Sequence, residues 1–242
     1  MRLLETDAVV LRRKKITAND SYLTLFTRSL GRLEVFARNG NHPKSPLLAG
    51  SQPFVYGLFS LSGSSSIQLR GVEVHNNFYR LREDFDQMLM ASYLAQILLQ
   101  LTQERESNHL LFEGLVNSLA LLEKFPDLRE TILVYFYAVC IKQLGIKPQI
   151  DSCLVCQSTP ASYFDISQGG SLCAEHQTDS SFESPELLAI LDQALRLSIK
   201  DFLNRKFDED AILRLQTFQE DYLDFHLESH LREARTHLED YQ

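Results

Sequence analysis

Tryptophan is missing from this 242-residue chain, and glycine and proline together fill only 17 positions. That scarcity excludes collagen-like and low-complexity architectures. Long apolar runs are missing too: the longest, Ile132–Ile141, has ten residues, about half of what a membrane-spanning helix needs. The opening Met1-Arg2-Leu3-Leu4-Glu5-Thr6-Asp7 meets acid before any apolar stretch could serve as a signal peptide, so a cytoplasmic protein with no membrane partner is expected. Nucleotide-binding and hydrolase fingerprints do not occur: there is no Gly-x4-Gly-Lys-Ser/Thr loop, no Gly-x-Gly-x-x-Gly and no Gly-x-Ser-x-Gly. His226 and His230 lie four apart, but the acid between them, Glu228, is not where a zincin helix places it. They read as two solvated helix histidines. Ser64-Ser65-Ser66 reads as a turn. Nothing assembles an enzyme, and none is expected.

What is present suits a globular protein of two small domains, with 44% hydrophobic and 23% charged residues. The net charge of −8 conceals a division. Residues 1–80 carry 11 Lys and Arg against 5 Asp and Glu, a net of +6, and residues 81–242 carry −14. Because screening confines charge effects to about 8–10 Å at physiological salt, a basic module can bind phosphate whatever the total.

The basic third reads as short strands. Asp7–Leu11 is apolar and β-branched, Ser21–Arg28 is rich in Leu, Thr and aromatics, and Leu33, Val35 and Ala37 alternate with polar or large neighbours across Arg32–Arg38. Asn39–Pro46 reads as loop, Gln52–Leu61 as a fourth strand bent at Gly57, and Ser62–Ser66 as a turn into a fifth, Ile67–Val74. Five strands in so short a span suggest a Greek-key barrel of the OB type. Arg12-Arg13-Lys14-Lys15 follows the first strand, and Arg28, Arg32, Arg38 and Lys44 come from the next hairpin and loop. These eight residues are the candidate nucleic-acid contacts, binding backbone phosphate with little sequence preference. Tyr22, Phe26, Phe36, Phe54 and Tyr56 are interleaved with them, as an OB surface that stacks bases needs, and the plainer expectation is that at least half of them fill the barrel interior. The plainer reading of Arg12–Lys15 is a solvated loop.

From Asp84 the period becomes helical. Phe85, Met88, Leu89, Ser92, Tyr93, Gln96, Ile97 and Gln100 share one expected face. Ser107 caps a second expected helix to about Lys124, and Pro126-Asp127 with Glu130 opens a third by a capping box. The third is apolar all round, with Cys140 in its core, and ends at Gly145. Ser184-Pro185-Glu186 opens a fourth, and Asp208 or Asp210 a fifth that reaches towards Leu238. The expected fold is therefore α+β: an OB-type barrel over 1–80, then an α-helical bundle over 81–242 with a metal module, 150–180, inserted between helices.

That module carries the strongest signal. Cys153-Leu154-Val155-Cys156 and Cys173-Ala174-Glu175-His176 are two ligand pairs, each spaced by two residues and separated by 16. Such pairs close a tetrahedron around zinc, and four protein ligands imply a structural rather than a catalytic site. Gly169-Gly170 allows the second turn. A redox pair would need a βαβ setting that this region lacks; buried thiols without a ligand are the other alternative.

An ordered set of fragments then matches a known family. Thr6–Leu11, Asn19-Asp20, Leu25–Thr27 and Gly31 come first, followed by Ala37–Gly40, Lys44-Ser45, Leu48 and Pro53-Phe54. Ser92-Tyr93, Leu144-Gly145, Pro148, the Cys153/Cys156 pair and Gly169–Cys173 complete it. The chain resembles the RecO family of bacterial recombination mediators over nearly its whole length. The resemblance implies an OB domain, a helical domain and a structural zinc ion. It also implies binding of single- and double-stranded DNA, strand annealing, and action with RecR to load RecA on DNA coated by the single-strand-binding protein, in a cytoplasmic, nucleoid-associated setting. Two positions depart from the family pattern: His176 stands where a cysteine is usual, and Val134–Tyr137 replaces the family's basic and acidic neighbours. The competing class is a zinc-containing OB-fold adaptor for RNA or for transcription.

Overall fold

The computed structural model describes residues 3–63 and 66–239, the last three without their side chains. Its first strand, β1 (Leu3–Lys15), continues through the basic run, so Arg12–Lys15 are strand residues and not a loop behind the strand. The reason is register. β1 pairs antiparallel with β2 (Ser21–Thr27) from Ala8↔Thr27 to Lys15↔Ser21, with a bulge between Val10 and Arg12. Val10 is opposite Leu25 in the interior. Beyond the bulge Arg13 takes the interior register opposite Leu23, while Arg12 and Lys14 stand outside opposite Thr24 and Tyr22.

β3 (Gly31–Ala37) pairs with β2, and its alternate residues are buried as the sequence pattern demands. β4 (Tyr56–Ser62) begins four residues later than expected and pairs with β1 and with β5 (Ile67–Asn76). The bend falls between Tyr56 and Gly57, where a Cβ on Gly57 would lie 2.3 Å from the Glu73 carbonyl oxygen. Of the Ser62–Ser66 turn, Ser64 and Ser65 lie outside the described residues. A short parallel contact of β3 with β5 closes the barrel in the order β1-β2-β3-β5-β4, an OB-type arrangement. Its interior is aliphatic with Phe59: Ala8, Val10, Leu23, Leu25, Leu33, Val35, Leu61 and Leu69 fill it.

A four-residue helix, α1 (Leu47–Gly50), lies between β3 and β4, and α2 (Phe85–Leu101) and α3 (His109–Lys124) follow the barrel. Asp84 caps α2 by accepting from the Gln87 N–H at 2.9 Å. Asn108, not Ser107, caps α3 through the Leu111 N–H at 3.0 Å. The buried side of α2 is Ala91, Tyr93, Leu94, Ala95, Ile97 and Leu98, whereas Phe85 and Met88 are exposed. α2 is apolar around most of its circumference, so spacing alone did not select the face. Both helices pack on the barrel: the Phe26 and Phe112 rings sit 6.2 Å apart, and Arg32 donates to the Leu99 carbonyl at 2.5 Å. The last barrel strand ends at Asn76 and α2 begins at Phe85, and the chain divides into two compact units, Met1–Pro126 and Asp127–Gln242.

The second unit opens with α4 (Arg129–Gln143), which follows a 3-10 turn without a capping box; Leu128 occupies the cap position. Its end is as expected: Gly145 takes φ +79°, and the Ile146 N–H reaches back to the Ile141 carbonyl at 3.2 Å. A three-stranded sheet in the order β7-β6-β8 follows, from β6 (Tyr163–Asp165), β7 (Gly170–Leu172) and β8 (Phe182–Glu183). Then come α5 (Pro185–Arg196) with proline in its first turn, the unanticipated α6 (Ile199–Leu203), and α7 (Glu209–Leu227) capped by Asp208. The long fifth helix is two helices, because α8 (Leu231–Glu239) is separate. Glu228 turns into the left-handed region at φ +51°, and Asp224 accepts from Ser229 Oγ and from the Leu231 and Arg232 N–H groups, capping α8. No helix among the described residues is long and apolar enough to cross a membrane.

Candidate metal centre and nucleic-acid interface

The four ligand candidates meet. The Sγ atoms of Cys153, Cys156 and Cys173 and a ring nitrogen of His176 all lie within 4.8 Å of one another. Cys156 Sγ and Cys173 Sγ are 3.8 Å apart, and His176 Nδ1 lies 3.8 Å from Cys153 Sγ and 3.2 Å from Cys173 Sγ. A tetrahedron with Zn–S bonds of about 2.3 Å has S···S edges of about 3.8 Å, so the donor set fits an ion of that size. Each pair forms a tight turn: the Gln157 N–H donates to the Cys153 carbonyl and the His176 N–H to the Cys173 carbonyl, both at 3.0 Å. The Cys156 backbone N–H pointed at Cys153 Sγ lowers the pKa of that thiol, and the bond from His176 lowers that of Cys173. Thiolates are the form that binds cations. Cys140, by contrast, is fully buried in α4, and burial pushes its thiol pKa up.

The local sequence explains why the pairs converge. Gly169 turns at φ +73°, and a Cβ on Gly170 would lie 2.8 Å from the Gln149 carbonyl oxygen and 2.9 Å from Leu154. Leu154 itself donates its N–H to the Ser171 carbonyl at 2.9 Å, tying the first turn to the strand that leads into the second. Sequence reasoning missed Asp165. This buried carboxylate accepts from the Ser167 hydroxyl and N–H, the Gln168 N–H, and the Thr178 and Ser180 hydroxyls, at 2.6–3.2 Å. Burial alone would raise its pKa, but the hydroxyl and amide donors outweigh burial and hold it well below the usual carboxylate range. The run Asp165-Ile166-Ser167-Gln168-Gly169 was the signal that could have found it, an Asx turn. His226 is not a solvated residue: its Nε2–H donates to the Ile166 carbonyl at 2.8 Å, joining α7 to this loop. His230 is exposed and lies in the break before α8, so the two histidines do not share a helix face.

The basic candidates separate into two groups. Arg13 is half-buried and donates to Gln52 Oε1 at 2.9 Å, to the Gly40 carbonyl at 3.1 Å and to Asn41 Oδ1, holding the 39–52 connection against β1. Lys15 is exposed next to Arg13 and Asn41 at a shallow pocket. Arg28 pairs with Glu113 at 2.8 Å, and Arg32 is committed to Leu99. Arg12, Lys14, Arg38 and Lys44 are exposed. Among the aromatics, Phe26 is buried beneath α3 and not inside the barrel, Phe54 is buried in the β3–β4 connection, and Tyr22 is exposed. The expectation that at least half of them fill the interior fails, since aliphatic residues do so.

An OB-type barrel turning basic strand residues outward, with a helical unit that carries a Cys3His knuckle pair, defines a class of two-unit proteins able to hold a metal ion. Comparison with known proteins narrows the class. The family model described as Recombination protein O N terminal matches residues 1–78, and that described as Recombination protein O C terminal matches residues 82–235. A relative from Alkaliphilus metalliredigens, named DNA repair protein RecO, is 36% identical over 182 residues, 74% of each chain. Relatives of the same name from Exiguobacterium sp. and Bacillus cereus are 29% and 26% identical, over 89% and 93% of this chain and 88% and 94% of their own. The chain belongs to the RecO family.

Proposed function

We propose that this chain is a DNA-binding recombination mediator and strand-annealing protein of recombinational repair. It acts with RecR to load RecA on DNA covered by the single-strand-binding protein, and it catalyses no covalent chemistry. Family membership over both halves of the chain carries this reading. The outward register of Arg12 and Lys14 on β1 supports it, because two lysine or arginine side chains spaced along one strand suit successive backbone phosphates. Phosphate binding of this kind neutralises each strand's charge, which lowers the repulsion between two complementary strands brought together. Cys153, Cys156, Cys173 and His176 would hold zinc, whose part is to close the two turns into one rigid module. The test is annealing of complementary oligonucleotides with and without the protein. Acceleration that falls with salt is expected, and an unchanged annealing rate at saturating protein would refute the reading.

A further inference from the structure

We propose that Tyr22 and Phe36 form a platform on the barrel on which unpaired bases of single-stranded DNA stack, a contact separate from the phosphate contacts of Arg12 and Lys14. The proposal rests on the DNA-binding reading above and specifies how the strand is held. Strand register puts four outward residues in one row across four strands: Lys14 on β1 opposite Tyr22 on β2, Tyr22 opposite Phe36 on β3, and Phe36 opposite Gln68 on β5. The Tyr22 and Phe36 rings are 5.4 Å apart, tilted by 57°, and Tyr22 is 40% exposed. The neighbouring row is Arg12, Thr24 and Glu34, in which the Thr24 hydroxyl holds the Glu34 carboxylate.

The same outer surface has a second aromatic, Phe26, four residues from Tyr22 on β2, and its fate is different. Phe26 is covered by α3 through Phe112, and Arg32 opposite it is tied to the end of α2. The unit's own helices thus cover one end of this surface and leave the Tyr22–Phe36 end open. An open aromatic pair beside two outward cations matches a single strand chemically: ring faces accept bases of any sequence, and the cations accept the phosphates between them. Paired bases hide their faces within the duplex, so the platform favours single strands.

The absence of tryptophan from the chain makes the test direct. Tyr22→Trp in the full-length protein creates one tryptophan at the platform. A short oligothymidine should quench its fluorescence, and an abasic oligomer with the same number of phosphates should not. Tyr22→Leu and Phe36→Leu keep apolar bulk on the strands, and thermal melts confirm that they fold. Each should weaken oligothymidine binding by about tenfold, leave abasic binding unchanged, and leave the salt slope of log K unchanged because every phosphate keeps its cation. Equal affinity for the two oligomers with an unquenched Trp overturns the platform while sparing the phosphate reading. If the wild-type protein binds neither oligomer, the DNA reading fails and the platform with it.

Discussion

Two neighbouring arginines of the chain have different jobs, and the difference is a matter of register. Arg13 sits in the interior register and commits its guanidinium to Gln52, Gly40 and Asn41, and burial lowers its pKa. Arg12 and Lys14 face out. Arg12→Ala with Lys14→Ala should therefore make the single-strand salt slope shallower by roughly 1.4, about 0.7 for each phosphate that is no longer neutralised, with no change in the thermal midpoint. Arg13→Ala should do the reverse: the slope stays, and stability falls by about 1–3 kcal/mol as the acceptors of the loop are left without their donor. Anisotropy titrations and urea melts separate the two, and a shallower slope in Arg13→Ala would move phosphate binding to the loop. Asp165 gives a second residue-scale expectation. Its pKa in the fold lies below the unfolded carboxylate value of about 3.9. The charged form is the one the fold favours, so its contribution is present above that value and is lost as pH falls below it. Asp165→Asn should lower stability by about 1.5–3 kcal/mol at neutral pH, and the gap from wild type should close on acidification below about pH 4. A gap that stays constant with pH would show that the loss is one of shape and not of charge.

At the scale of elements, what could be read in advance depended on whether one local pattern decided the outcome. The alternation of Leu33, Val35 and Ala37 fixed β3, Gly145 ended α4, and the Cys pairs located the knuckles, each from residues close in the chain. β1 beyond Leu11 was hidden because a four-residue basic run has no apolar alternation; only pairing with β2 makes it a strand. The break between α7 and α8 was hidden for a related reason. Glu228 is an ordinary helix former, and the stop comes from Asp224 capping the next helix and from half-buried Arg235, which pairs at 2.8 Å with Glu220. Glu220 is fully buried in α7 and also accepts from the Tyr137 hydroxyl of α4 at 2.9 Å. Arg235→Leu takes this one cation away from the buried carboxylate, which keeps its Tyr137 bond, and should cost about 1–3 kcal/mol. Adding Glu220→Gln should recover much of the loss, because burying a neutral amide carries a far smaller penalty. Urea midpoints of the single and double variants check this, and additive losses would mean that the pair is not what docks α8.

At the scale of the whole molecule, the charge division and the compact division do not coincide, and the mismatch decides where a DNA-binding fragment should be cut. Residues 1–80 hold the net charge of +6, yet the compact unit runs to Pro126. A chain cut after Arg80 keeps every basic candidate but removes α2 and α3, which leaves the Phe26 ring uncovered. It also strips the edge at Gly31, where a Cβ would lie 2.2 Å from the Glu106 carbonyl oxygen and where Arg105 donates its N–H to the Arg32 carbonyl. Exposed apolar surface next to an unpaired strand edge favours association, so that fragment should aggregate. The chain 1–126 retains this packing and should be monodisperse. It should bind oligothymidine with the salt slope of the intact protein, because Arg12, Lys14, Tyr22 and Phe36 all lie within it. All four metal-ligand candidates lie outside it, so it should purify without zinc, whereas the full chain should carry about one equivalent, as a single four-ligand site requires. Size-exclusion chromatography, elemental analysis and a salt titration on the two fragments and the full chain test these claims together. A folded 1–126 chain with no affinity for single strands would transfer DNA binding to the second unit, despite its acidic charge.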